Sequence, residues 1–391
     1  MTVRGWCFVA LVVTSAGCVD SPDCRPFTGL SNEQLVLFRG QLTRQDFSGG
    51  CFPDRKTTSA DVFDRNGDRV PSQIVDDDGH GTARVEFTPT LLGTHTVVMR
   101  FQPDVPFQTR LLEVSEDRRA EAPVLEFTSL DVCRDVAVAD SLVACQLDSA
   151  LLIIQGSRVV RRSEGERFAE APHALWTWRD TGLTRWTLDA AGAPTSLELT
   201  VPIALPSGER HAITVTDTDF MWPQDRRLQA VRVTDAGTLA TWNPAPDGVV
   251  FRAAARVDGG VFWKDGATED FCFQSPGSAA RCQPSTLRPL RAQGEGMWIE
   301  SDFGNLGFAQ LGASPAPASV LFLPQAFSVL ASVPLDFTDH PRFLLADRIT
   351  AIRPDTLGLD SWAGPPDGGA SGVRAGHVWV RDGKRVRVWA R

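Results

Sequence analysis

The sequence predicts an all-β chain in two parts, a β-sandwich followed by a longer array of small repeated sheets. Two observations predict it. Through residues 25–115, apolar and polar residues alternate in short runs bounded by Gly, Pro, Asn and Asp, the pattern of half-buried antiparallel strands. Beyond residue 123, strand-like segments return at a near-constant interval. The 391 residues suffice for two domains. With 42% hydrophobic and 22% charged residues, the composition is that of an ordinary globular protein. The net charge is −9 and the Arg residues are scattered among acids, so there is no basic stripe for a nucleic acid.

The chain opens with a segment to be set apart from the fold. Arg4, the apolar run Trp6 to Val13 and the small residues Ser15-Ala16-Gly17 have the order of a secretion signal, too short to span a membrane. Ser15-Ala16-Gly17-Cys18 resembles the lipobox of bacterial lipoproteins, with Ser15 where Leu is usual. The resemblance implies a signal peptide over 1–17, an acyl anchor on Cys18 and a place in the cell envelope, at the outer membrane; secretion in soluble form is the alternative.

The cysteine count agrees with an oxidising compartment. Of eight Cys, Cys7 lies in the signal and Cys18 at the anchor. The remaining six fall into three local pairs: Cys24 with Cys51, Cys133 with Cys145 and Cys272 with Cys282. Pairing in order is the topology with the shortest loops, and Pro276-Gly277 sets a turn between the last two. No CxxC or HExxH spacing occurs, so disulfides are expected, with no metal and no cofactor.

In residues 25–115 the alternating runs are Gln34 to Phe38, Ala60 to Phe63, Ala83 to Phe87 and Thr94 to Phe101, which read as a β-sandwich. Asp76-Asp77-Asp78-Gly79 leads to Glu86-Phe87-Thr88-Pro89, and Gly93 opens Thr94-His95-Thr96-Val97-Val98. This stretch resembles filamin-type and other bacterial immunoglobulin-like repeats. The resemblance implies a spacer or adhesion module without catalytic residues. Asp64-Arg65-Asn66-Gly67-Asp68 has the start of a calcium loop, but its Gly comes early and Val75 stands where the last acid belongs. A hairpin turn is the expectation there.

The polar segment 116–122 reads as a linker. In residues 123–391 the repeats begin at Asp135, His173, His211, Val250, Gly296, Phe327 and His377, about 40 residues apart on average and irregular toward the end. Short strands at this period are the signature of sheets packed radially around an axis. Hairpins such as Trp176 to Asp189 around Asp180-Thr181-Gly182, and Val378 to Trp389 around Asp382-Gly383, fit the inner strands. This part resembles a β-propeller of about 6–7 blades. Pro123 to Thr128 is a spare strand able to complete the last blade and remove an open edge.

Asp180 to Trp186 approaches the Asp-box of sialidase-like propellers but is one residue too long before the Trp. That family's usual Tyr nucleophile has no counterpart in a chain with no Tyr. Neither GxSxG nor a P-loop occurs, and Gly368-Gly369-Ala370-Ser371-Gly372 reads as a loop. His173, His211 and His377 each open a repeat and are expected at one recurring structural position. The Trp residues are expected as core between blades rather than as a surface platform.

The resulting expectation is an envelope-anchored lipoprotein: an immunoglobulin-like sandwich, then a propeller acting as a non-enzymatic binding or scaffold module for a protein or glycan. The alternative is a hydrolase acting on polysaccharide or peptide in the propeller funnel, since two acids meeting across a funnel leave no local trace.

Overall fold

The computed structural model describes residues 36–48, 57–77, 82–101, 108–201, 205–206, 213–224, 227–234, 239–242, 251–257, 260–275, 278–293, 296–302, 305–322, 335–336, 342–345, 348–353, 356, 358–365, 369–374 and 376–391. Cys18, Cys24, Cys51, His80, His211 and His340 lie outside these residues. Every element among them is a strand. The chain divides into two compact parts between Val114 and Ser115.

The first part has two sheets. One joins β2 (Thr43–Ser48), β6 (Thr82–Phe87) and β5 (Ser72–Asp77); the other joins β1 (Val36–Phe38), β8 (Gln108–Asp117), β7 (Gly93–Phe101), β3 (Thr57–Phe63) and β4 (Arg69–Val70). Their alternation places Val62, Val85, Phe87, Val97, Met99 and Leu112 in a common interior. The calcium-like segment is the β3–β4 turn: Asp64 Oδ1 accepts from the backbone N–H of Asn66 at 2.8 Å and of Asp68 at 3.0 Å. That carboxylate oxygen is spent on holding the turn.

Glu113 of β8 is 2% exposed and sits opposite Thr94 of β7, whose hydroxyl donates to it at 3.0 Å. Burial pushes its carboxyl up to about 8 against the hydrogen bond from Thr94, which lowers it.

The second part is built from seven consecutive four-stranded antiparallel sets. The first is β10 (Asp135–Ala139), β11 (Leu142–Gln146), β12 (Ala150–Gln155) and β13 (Arg158–Glu164); the second is β14 (Arg167–Glu170), β15 (Leu175–Arg179), β16 (Gly182–Leu188) and β17 (Pro194–Thr200). The third is β18 (Thr214–Val215), β19 (Asp219–Gln224), β20 (Arg227–Val233) and β21 (Leu239–Trp242); the fourth is β22 (Phe251–Val257), β23 (Gly260–Asp265), β24 (Asp270–Gln274) and β25 (Arg281–Pro284). The fifth is β26 (Arg288–Gln293), β27 (Gly296–Glu300), β28 (Leu306–Gly312) and β29 (Ser314–Phe322); the sixth is β30 (Leu335–Asp336), β31 (Arg342–Leu345), β32 (Arg348–Ile352) and β33 (Leu359–Ala363). The seventh combines β34 (Ala370–Val373), β35 (His377–Asp382) and β36 (Arg385–Ala390) with β9 (Leu125–Thr128), from the start of the part. In that pairing Val386 lies opposite Phe127 and Val388 opposite Leu125.

These sheets are apolar on both faces, which is why they stack. On β11 and β12, Leu142, Ala144, Leu151 and Ile153 pack on Phe168, Leu175 and Trp186 of the second sheet. The alternate residues Val143, Cys145, Leu152 and Ile154 pack on Phe127, Trp379, Val386 and Val388 of the seventh. Similar cores join the second sheet to the third, the third to the fourth, the fourth to the fifth and the sixth to the seventh. Strand order and inter-sheet cores together are those of a β-propeller. The close approach has a sequence cost: a Cβ on Gly296 would lie 2.2 Å from the Phe308 ring, and one on Gly260 2.4 Å from the Phe273 ring.

Four readings of the sequence change here. The irregular repeat comes from phase: segments at Asp135, His211 and Val250 fall on first strands, whereas those at His173, Gly296 and His377 fall on or beside second strands. Second strands begin at residues 142, 175, 219, 260, 296, 342 and 377. His173 and His377 are therefore not equivalent; the N–H of Ala171 donates to Ala174 O as that of Arg374 does to His377 O, which matches His377 with Ala174. Ala370, Ser371 and Gly372 belong to strand β34 rather than to a loop. Of the segment 116–122, Glu116 and Asp117 pair in parallel with Asp360 and Ser361 of β33, and the Arg118 N–H donates to Ser361 O at 2.8 Å.

Glu113 gives the first prediction. Its pKa is higher folded than unfolded, so its contribution to stability is complete below about 4.5 and is lost as the pH rises through about 8. The full span is worth up to about 5 kcal/mol. In Glu113→Gln, thermal unfolding scans from pH 5 to 9 are expected to lose most of the fall in Tm that the native chain shows over that range.

Candidate functional site

The ring is tied at its inner strands by one buried cation. Arg374, which follows β34, is 3% exposed. Its Nη2 donates to both oxygens of Asp135 at 2.7 Å, and its Nε donates to Val136 O at 3.1 Å. Glu170 at the end of β14 lies 3.4 Å away, and the guanidinium stands over the Phe168 ring. One side chain thus joins the seventh, first and second sheets. Beside it, burial and the charge of Arg374 hold His377 down at about 3, so its imidazole is neutral in the fold.

The turns between first and second strands carry the exposed part of the site. Asp140, in the β10–β11 turn, adopts φ 51°, a left-handed conformation that Asp tolerates better than most residues. His173 precedes β15, and its side chain is 70% exposed. Its Nδ1 lies 2.9 Å from Asp140 Oδ1, and its backbone N–H donates to Asp217 Oδ1, in the β18–β19 turn, at 2.8 Å. That third turn is held in place: Trp176 Nε1 donates to Thr216 O at 2.8 Å and Arg185 Nε to Asp217 O at 2.5 Å. Thr216 Oγ1 accepts from the Asp219 N–H at 2.9 Å, and Asp219 pairs with Arg232 at 2.6 Å.

The result is a polar row, Asp140, His173 and Asp217, across three consecutive sheets. The hydrogen bond to Asp140, then the charges of Asp140 and Asp217, raise the His173 pKa above its ordinary value. With Nδ1 engaged by the carboxylate, Nε2 is the nitrogen left to face a partner. The row offers hydrogen bonds and negative charge. Among the described residues, no group of three or more His, Cys, Asp or Glu is placed to hold a metal ion.

The residues singled out from the sequence fall elsewhere. Cys133 and Cys145 form a disulfide at the start of the first sheet, and Cys272 and Cys282 form one across β24 and β25. Neither disulfide belongs to the polar row. Trp176, Trp178, Trp186, Trp222, Trp263, Trp298, Trp362, Trp379 and Trp389 are all buried, so these nine are core. Sequence reasoning missed both the Arg374–Asp135 pair and the link of Asp140 and Asp217 through His173. The only signal for Asp140 and Asp217 was the acid in successive short turns, which turn chemistry alone also produces.

No protein-family profile matches this chain, and no curated protein matches it. Among solved structures it is similar to the β-propeller domain of Cps50 (Swd1) of Myceliophteria thermophila, with 10% identity and TM-score 0.41, over 69% of this chain and 99% of that one. It is similar to PorZ, a surface component of the type-IX secretion system of Porphyromonas gingivalis, with 12% identity and TM-score 0.41, over 68% and 39%. It is also similar to Hsv2 of Kluyvelomyces marxianus, with 8% identity and TM-score 0.33, over 64% and 88%. The β-propeller class of the second part is carried by its own sheet order and inter-sheet cores.

Asp140→Asn removes the carboxylate at His173 Nδ1. The His173 pKa is then expected to fall toward the value near 6.5 of an unperturbed imidazole, read by NMR titration of the imidazole Cε1–H. His377 serves as the internal reference, remaining neutral through the same range.

Proposed function

We propose that this chain is an envelope-anchored binding or scaffold protein: an acyl anchor at Cys18, an immunoglobulin-like sandwich over 25–115, and a seven-bladed propeller over 123–391 whose rim binds a protein partner. The carrying observation is the polar row across three consecutive sheets. Asp140, His173 and Asp217 project from turns whose positions are fixed by hydrogen bonds between sheets, so the rim meets a partner already organised. The acids favour a partner presenting amide, hydroxyl or cationic donors. Disulfides in the second part agree with an oxidising compartment, which supports placement outside the cytoplasm.

A hydrolytic reading has one observation behind it, the His173–Asp140 pair, which has the orientation of a general base. Activity on a polysaccharide or peptide panel that disappears in His173→Ala would replace the scaffold reading.

The test is cross-linking and affinity purification of the tagged full chain from its native envelope, beside the full-length double variant His173→Ala, Asp217→Ala. A stoichiometric partner captured by the native chain and reduced at least tenfold by the double variant is expected. Absence of any partner from the native sample would overturn the scaffold reading. Equal capture by both would move the interface off this row.

A further inference from the structure

The two described disulfides differ in access. Cys133 and Cys145 are both fully buried, within the core between the first and seventh sheets, so a thiol reaches neither sulfur unless the ring opens. In the other pair, Cys272 is 1% exposed and packs among Met221, Leu228, Ala230 and Trp263 between the third and fourth sheets. Its partner Cys282 is exposed, in a four-residue strand β25 whose residues are all exposed. Cys272 and Cys282 face each other directly in the β24–β25 register. The disulfide therefore has one sulfur-bearing residue in the core and the other on the exposed outer strand of the fourth sheet.

Strand β25 buries no side chain. Beyond its ladder and the disulfide, β25 is held by the Arg281 guanidinium, which donates to Ala313 O at 2.8 Å and stands over the Phe273 ring. The outer strand of the next sheet, β29, has nine residues. The covalent bond is thus a large share of what keeps β25 on the edge of β24.

We propose that Cys282 is a thiol-exchange site, modified by a small thiol or by the dithiol of an oxidoreductase, and that exchange releases β25. The incoming thiolate attacks Cys282 Sγ, the more accessible sulfur. A bond forms between the two, the Cys272–Cys282 bond breaks, and the electron pair leaves on Cys272 Sγ. An apolar pocket disfavours a thiolate, so Cys272 takes up the proton that the attacking thiol gave up. The balance is one thiol and one disulfide in, one mixed disulfide on Cys282 and one Cys272 thiol out. Cys272 remains packed opposite and reverses the step by attacking the mixed disulfide, or a second thiol completes reduction and departs as its own disulfide. Release of β25 exposes the backbone edge of β24, which is competent to pair with another strand. This inference stands apart from the binding role of the rim.

The probe is reduced glutathione, added to the oxidised full chain and quenched with N-ethylmaleimide, with products mapped by peptide mass spectrometry. Expected are glutathione on Cys282, maleimide on Cys272 and an intact Cys133–Cys145 bond, with the exposed pair opening at least tenfold faster. Backbone hydrogen exchange of 281–283 is expected to rise on reduction while that of β11 and β12 does not. In Cys272→Ser, oxidised glutathione is expected to leave a lasting adduct on Cys282; in Cys282→Ser, Cys272 is expected to resist it. Glutathione on Cys272, equal opening of both bonds, or resistance of Cys272–Cys282 up to unfolding would overturn the proposal. The native-chain experiment decides even where a variant fails to fold.

Discussion

The structure of the second part depends on closing a row of sheets whose two faces are both apolar. A sheet such as β10–β13 has Leu151 and Ile153 on one face and Leu152 and Ile154 on the other, so neither face tolerates water. A linear stack would leave the outer faces of its first and last sheets bare. Here the first sheet instead covers the seventh, and β9 supplies the seventh with its fourth strand. Trp389 Nε1 donates to Glu121 O at 2.9 Å and the Ser129 N–H to Lys384 O at 2.9 Å, so the chain on both sides of β9 is fastened to the sheet it completes. Segments far apart in sequence must meet before either is satisfied, which places this closure among the slow, non-local steps of folding.

Buried cations add directional ties to a core that is otherwise non-directional. Arg374 sits in low dielectric, where an unpaired charge is costly, and this demand brings Asp135, Val136 O and Glu170 to one point. Lys264 meets the same demand within one sheet: its Nζ donates to the carbonyls of Glu269 and Ser285, the latter at 2.6 Å. In each case a charged side chain inside the protein selects one arrangement of neighbouring backbone that apolar packing would leave less defined. His377, next to Arg374, takes the opposite course and stays uncharged.

Local chemistry was legible in the sequence, and relationships between sheets were not. The spare strand near Pro123, the cysteine pairs Cys133–Cys145 and Cys272–Cys282 and the apolar use of Trp each followed from the nature of the residues. The phase of the repeat was lost because first and second strands are similarly apolar: both Val136 in β10 and Trp176 in β15 are fully buried. Periodicity of two cannot rank strands that are all covered on both faces. Arg374 and Asp135 are separated by 239 residues, and nothing near either marks the other. Nothing near Gly260 or Gly296 in the sequence marks the need for a missing Cβ beneath Phe273 and Phe308.

The same packing logic determines what is left for recognition. Nine Trp side chains are consumed in cores, so the described rim cannot offer them as a stacking platform for sugar or peptide. What it offers comes from turns, and turns that must be tight favour Asp, Gly and Thr. Some acids of turns are used internally, as Asp219 is by Arg232 and, in the first part, Asp64 by its own turn. The Asp140–His173–Asp217 row differs because its most exposed member, His173, is also the residue that bridges the turns. A partner that hydrogen-bonds the imidazole of His173 meets a residue tied to the first sheet by its side chain and to the third by its backbone N–H, so binding there is coupled to the spacing of the turns as well as to the chemistry of the imidazole.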